Sequence, residues 1–306
     1  MGFSTTAEQV GLMFAFIALG LLAAKKLWIN DQAVSGMTNI LIYFVTPGVI
    51  INAFNRPFSR SRLAEFGVAA VVIVGIFLVM ILIAWVLFVR VRDADRRRDL
   101  RFATIYSNAG YLGIPLVQAL LGSDGVFFAV LFLVCFNIFV WTQGWSMFSD
   151  TTGGRVKQLF SNPALPAVIV GVAIFITSLP LPGIVSTGLG YLSTMNAPLS
   201  MFVIGASLAA IKWRTFAADV WVWVGTAVRT VLVPLIMVLI LWVVPLPHEA
   251  KVAILIPTAC PVAAFMVMFS IMRKISPDFA TRLVCLSTLV SIVTLPAILS
   301  LASALW

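Results

Sequence analysis

Ten mostly apolar stretches of about 20 residues, with charge almost confined to their ends, follow one another along this chain, and each is long enough to cross a bilayer as a helix. They run roughly over residues 9–26, 33–54, 64–89, 101–121, 125–148, 162–179, 186–211, 220–244, 251–272 and 281–304. The uncharged run from Gln158 to Ile211 exceeds one helix, and Pro180, Pro182, Gly183, Gly188 and Gly190 divide it into two. Of the 306 residues, 61% are hydrophobic and 10% charged, where a soluble domain carries about 25% charged residues. Hydrocarbon offers no partner to a bare amide, so each span must satisfy its backbone internally, which predicts an all-α membrane protein. Met1 to Gln9 holds no basic run, so no cleavable signal peptide is expected before the first span.

The net charge of +9 does not point to nucleic acid, because the basic residues sit in short loops between spans. With the N-terminus outside, 15 of the 20 Lys and Arg residues fall in inner loops, and only Arg56, Arg60, Arg62 and Lys251 in outer ones. This asymmetry predicts both termini outside. The three arginines after the second span run against the trend without an evident reason. The cluster from Arg90 to Arg101 (RVRDADRRRDLR) reads as a solvated inner anchor or as a site for anionic lipid. Trp28, Trp141, Trp145, Trp213, Trp221 and Trp306 fall near span ends, where interfacial belts form. Cys135, Cys260 and Cys285 lie in apolar stretches as small core residues, and no metal or cofactor is expected.

The chain repeats itself. Pro47 and Pro198, in the second and seventh spans, lie 151 residues apart, while Pro115 and Pro261, in the fourth and ninth, lie 146 apart. Two five-span units, 1–150 and 158–306, therefore follow one another. Five is odd, so the second unit enters the membrane from the opposite side. The expected fold is ten transmembrane helices in two inverted five-helix repeats, an arrangement that supports alternating access.

Two proline-interrupted stretches carry the chemistry: Ser107 to Leu116 (SNAGYLGIPL) and Ile256 to Ala263 (IPTACPVA). A proline in mid-span removes an amide donor and clashes with the preceding turn, so helices are expected to break or kink at Pro115, Pro257 and Pro261. The segments after Pro115 and Pro261 would then begin with unpaired amides and about half a positive charge, an anion site that needs no basic side chain. Asn108, Ser107, Gln118 and Thr258 are the nearest polar side chains, with Tyr111 and Cys260 in the same stretches and Gly113 between them. Asn108 either contacts a substrate or satisfies loosened backbone carbonyls. Arg229 is the one charge deep in a span, where burial costs at least about 2.5 kcal/mol. All eleven acidic residues lie in loops or at span ends. The partners of Arg229 are thus carbonyls at a broken helix end, or an anionic substrate.

These motifs, in order, resemble the auxin efflux carrier family, bacterial relatives of the plant PIN carriers within the bile-acid/arsenite/riboflavin transporter superfamily. The resemblance rests on Asn108 to Leu116, Asn162-Pro163 with Gly171, Pro198 to Leu208, Arg229 with Pro234, Pro257 to Ala263, and Ser287 to Pro296. It implies a scaffold of spans 1, 2, 6 and 7 that dimerises, and a transport domain of spans 3–5 and 8–10 that moves as an elevator. It also implies that the broken fourth and ninth helices cross, with substrate beside the crossing. In PIN-like carriers an asparagine seven residues before the fourth-helix proline contacts the substrate carboxylate, and Asn108 matches that position relative to Pro115. Between Pro257 and Pro261 this chain is one residue shorter than the PIN-like pattern, and only a short linker near Asp150 to Ser161 joins the halves. A multi-pass protein of a bacterial cytoplasmic membrane is expected.

The resulting expectation is a carrier that exports a small organic anion, auxin-like or another carboxylate. The competing reading is sodium- or proton-coupled uptake of a mono- or dicarboxylate such as malate or malonate, with Thr288, Ser291 and Thr294 as sodium ligands. An intramembrane enzyme is not expected: His248-Glu249 lacks a second histidine at metalloprotease spacing, and no pair of buried acids is available. A channel would want a ring of charged residues, and none is evident.

Overall fold

The computed structural model describes residues 3–149, 163–209 and 219–306. The linker from Asp150 to Ser161, and with it Arg155 and Lys157, lies outside the described residues, as do Asn162, Lys212, Trp213 and Arg214. The described chain is helical throughout. Helices α1 (Phe3–Lys25), α2 (Asp31–Phe54), α3 (Arg60–Leu87) and α4 (Ala94–Ile105) come first. A helical run then covers Ala109–Gly144, but Gly122 interrupts it with φ +62°, separating α5 (109–121) from α6 (123–144). The remainder is α7 (Ala164–Thr177), α8 (Gly183–Leu208), α9 (Val220–Val243), α10 (His248–Ala259), α11 (Phe265–Met272) and α12 (Asp278–Leu305).

By length and composition, α2, α3, the α5–α6 run, α9 and α12 can each cross a membrane, and Gly11–Lys25 and α7 are shorter apolar helices. With 12 and 8 residues, α10 and α11 are each too short to span alone. Large apolar side chains crowd the exterior, among them Leu12, Val71, Leu82, Ile169, Ile184, Val243 and Val293. So wide an apolar surface needs a nonaqueous neighbour.

Proline acts here differently from the sequence expectation. A π turn precedes Pro47 (Leu41–Val45), Pro115 (Ala109–Gly113) and Pro234 (Val228–Leu232), each ending two residues before the ring. The wider turn relieves the clash of the ring with the preceding carbonyl, so the helix passes through each proline. Pro198, Pro257 and Pro296 also lie inside helices. Pro115 therefore does not break its helix, nor does Pro257. The actual interruptions are at 106–108, where Tyr106 is extended (φ −102°, ψ 112°), and after Ala259, where Cys260 is extended (φ −61°, ψ 153°).

Packing draws the pieces together at two ends. α1 runs along α8 with backbones almost touching: a methyl group on Gly20 would collide with the Phe202 carbonyl, and one on Gly205 with that of Ile17. Small residues permit such approach between membrane helices. α2 packs on α7 and α8, and the α5–α6 run on α10. At one end, Asn55 donates to the Ser186 hydroxyl (3.1 Å), the Phe58 amide to the Ser178 hydroxyl (2.9 Å), and Arg56 and Arg62 reach Asp124. At the other, Arg96 pairs with Asp219 (3.1 Å), Arg98 lies over Phe148, and the Arg273 Nε donates to the Phe148 carbonyl (3.2 Å). The loops predicted to share a side thus meet one another. Trp141 and Trp145 depart from the interfacial expectation, since both are buried against Phe269. Their indoles fill the gap between α6 and α11, a packing role that span-end position alone does not reveal.

Candidate functional site

The two interruptions lie against each other. Residues 106–108 and 261–263 run antiparallel with a single bridge between Ser107 and Val262. The Asn108 amide donates to the Pro261 carbonyl at 2.7 Å, and the Ala263 amide to the Tyr106 carbonyl at 3.0 Å. The Val262 amide donates to the Ser287 hydroxyl of α12 at 3.1 Å. A break inside an apolar layer exposes backbone groups that water cannot reach, and each break supplies partners for the other. Pro261 suits this position because its missing N–H is one donor fewer to satisfy.

Arg229 ties the same crossing from behind. It is 0% exposed, on the π turn of α9. Its Nε donates to the Cys260 carbonyl (2.9 Å), one Nη to the Thr104 carbonyl (2.9 Å) and the other to the Thr258 carbonyl. Those oxygens belong to the last turns of α4 and α10 and to Cys260 just beyond α10, where carbonyls have no intrahelical partner and the helix dipole is negative. One guanidinium thus caps two half-helices, and its planar fork suits three separate acceptors better than an ammonium would.

Close packing fixes the register. A methyl group on Gly113 would meet Cα and Cβ of Pro257 at 3.0 Å and the Cys260 sulfur at 3.6 Å. Tyr106 braces the first break from the other side, with its hydroxyl 2.9 Å from the Phe139 carbonyl and 2.5 Å from Gln143 Oε1.

The singled-out residues divide as follows. Ser107, Asn108, Cys260 and Pro261 are at the crossing, and Tyr111 is half-buried in the first turn of α5. Ser107 is 1% exposed and its hydroxyl has no hydrogen-bond partner among the described residues. The Asn108 side chain caps nothing at the start of α5 and takes no partner among the described residues. The Thr258 hydroxyl is spent on its own helix, donating to the Ile254 carbonyl at 2.7 Å. Gln118 is not brought to the crossing; ten residues beyond Asn108, it lies about 15 Å along α5 by helical rise. Pro115 sits a turn and a half into α5, so the helix begins at Ala109. The Ala109 amide donates to the Ser107 carbonyl at 2.8 Å and those of Leu112 and Gly113 to the Asn108 carbonyl, which leaves the Gly110 and Tyr111 amides without an acceptor among the described residues. The second free end belongs to α11, which starts at Phe265. The sequence does not point to Ser287, Tyr106 and Thr104 as part of this site, because their roles come from contacts across the fold that no local pattern announces. Among the described residues no group of three His, Cys, Asp or Glu side chains could hold a metal ion.

A crossing of this kind, with amide-rich helix starts and two unpartnered polar side chains, can bind an anion without catalysing any reaction. The family described as membrane transport protein matches residues 6–158 and again 154–299. The chain is 24% identical to an uncharacterized transporter of Methanothermobacter thermautotrophicus, over 97% of this chain and 98% of the relative. It is also 24% identical to a Rhizobium meliloti protein provisionally named a malonate transporter, covering 96% of each. An uncharacterized transporter of Methanocaldococcus jannaschii is 26% identical over 61% of this chain and 65% of its own length. With matches reaching from one end of the sequence to the other, the chain belongs to the auxin efflux carrier family of membrane transport proteins.

Proposed function

We propose that this protein is a secondary carrier for small organic anions, with the substrate held beside the crossing of 106–108 and 261–263. The observation that carries the reading is the antiparallel pairing of the two breaks, which leaves the Ser107 hydroxyl buried and unpartnered next to the start of α5. The side-chain amide of Asn108 adds a donor to the carboxylate; Ser107 adds a second, and the backbone amides of Gly110 and Tyr111 complete the cradle. Arg229 works as a structural brace and not as a substrate ligand, since all three of its nitrogens already serve carbonyls.

The two family matches overlap at 154–158, between α6 and α7, where the two proposed inverted halves of five spans each would join. In that scheme α4 with α5 is the fourth span, and α10 with α11 the ninth. α1, α2, α7 and α8 form the scaffold and a homodimer contact, and the remaining helices carry the crossing as an elevator. The protein lies in a bacterial inner membrane with both termini outside. Export is the favoured direction, because a negative interior assists outward anion movement by about 2.3 kcal/mol per charge per 100 mV.

Coupled uptake of a dicarboxylate is the second reading, favoured by the name of the Rhizobium relative. A thermal-shift screen of purified protein against mono- and dicarboxylates, followed by counterflow of the best ligand in liposomes, tests the main reading. Trans-acceleration of a carboxylate is the expected result. Flux without trans-acceleration makes the protein a pore, and flux that requires sodium moves the assignment to coupled uptake.

A further inference from the structure

Arg56, Arg60 and Arg62 are the basic residues that the loop-charge pattern leaves without explanation, and two of them meet at a cavity that shares no lining residue with the crossing. The cavity measures about 310 Å³ and is lined by Asn52, Asn55, Arg56, Arg62, Ser123 and Asp124. Arg56 and Arg62 both donate to the same oxygen of Asp124, Oδ1, the latter at 2.9 Å. Arg56 is firmly built in: its side chain is 13% exposed, its Nε donates to the Ala53 carbonyl (2.7 Å), and its guanidinium stands 5.2 Å from the centre of the Phe127 ring. Arg62 is 40% exposed and has no further partner for its Nε or second Nη among the described residues. Two guanidiniums thus share one oxygen of one carboxylate, with several donors unspent.

We propose that this cavity is a second carboxylate-binding subsite, separate from the crossing, in which Asp124 is the resident counter-ion that an incoming carboxylate displaces. A planar carboxylate matches the fork of Arg62, which Asp124 engages through one nitrogen only. Arg56, already desolvated and held in place, loses little freedom when a second anion arrives. Asp124 follows the positive-φ turn at Gly122 and is 46% exposed, so it can leave the arginines for water. Glu249 of α10 is the opposing charge nearby. It lines a different cavity, with Leu120, Leu121 and His248, instead of this one. The proposal rests on the organic-anion reading only for the choice of probe.

The test is phenylglyoxal modification of arginines in the purified full-length protein, followed residue by residue by mass spectrometry, with malonate as probe and chloride at matched ionic strength as control. Malonate is expected to slow modification of Arg62 and leave exposed Arg60 unchanged. Asp124→Asn removes the internal competitor and should bring protection at malonate concentrations about tenfold lower, while Arg56→Gln should raise them. Asn108→Ala should keep the protection of Arg62, even where it abolishes transport. Equal protection of Arg60, or none at Arg62 in the wild-type protein, overturns the proposal. So does loss of protection in Asn108→Ala, which would make the crossing the one anion site.

Discussion

The backbone amide of Asn108 donates to the carbonyl of Pro261 across 2.7 Å, although 153 residues separate them in sequence. That bond joins two helix interruptions that would each be costly alone, and it holds the Asn108 side chain at the mouth of α5. Position and chemistry come from the same contact.

At Gly113, α5 packs closely on α10, against ring and backbone atoms of Pro257 that cannot rotate away. Gly113→Ala should cost about 1–3 kcal/mol through overpacking, and Gly113→Val more. Thermal unfolding in detergent measures it. Pro115→Ala should change stability little, because the helix already runs through that residue, and a large loss there would contradict the π-turn account.

Replacing Arg229 by Met leaves the carbonyls of Thr104, Thr258 and Cys260 without their donor. Each abandoned buried acceptor costs about 1–3 kcal/mol, so the variant should lose most of its folded, monodisperse fraction. Arg229→Lys keeps the charge but not the fork and should fall between. Size-exclusion profiles after extraction separate the three proteins. An Arg229→Met protein as stable as wild type would remove the brace from this account.

Asp124 gives a pH dependence of known sign. The hydrogen bond from Arg62, joined by that from Arg56 and by the charge of both, outweighs partial desolvation and holds its carboxyl below the usual value of 3.8. A depressed folded-state value means stability that is fully present above the unfolded value and is lost as pH falls through the folded one. No change is expected from this group between pH 5 and 8, and a decline below about pH 4. Since the side chain is half exposed, the decline is small. Asp124→Asn should flatten it, as unfolding temperature against pH would record.

Much of this architecture was legible in the chain because bilayer physics writes long messages. Span boundaries such as those of α2, α3 and α12 follow from the absence of charge, and Arg229 stood out as the one charge in mid-span. The breaks were harder. Pro261 does mark one, but the other falls at Ser107 and Asn108, seven residues ahead of Pro115, since a proline near a helix start is tolerated and a π turn absorbs it. Nothing in the local sequence distinguishes those cases. Pairings of high sequence separation were equally invisible: Arg56 with Asp124, Val262 with Ser287, and Tyr106 with Gln143 depend on how the helices stack. Gln118 looked close to Asn108 on paper and lies about 15 Å away along one helix.

Counterflow of radiolabelled malonate into liposomes holding wild-type or Asn108→Ala protein tests the central claim most directly, with equal reconstituted protein verified on a gel. A lost charge-assisted hydrogen bond of about 1.5–3 kcal/mol predicts a fall of roughly ten- to a hundredfold in the Asn108→Ala rate at low substrate. Wild-type transport of malonate with an unchanged rate in Asn108→Ala would contradict the claim that the crossing holds the substrate.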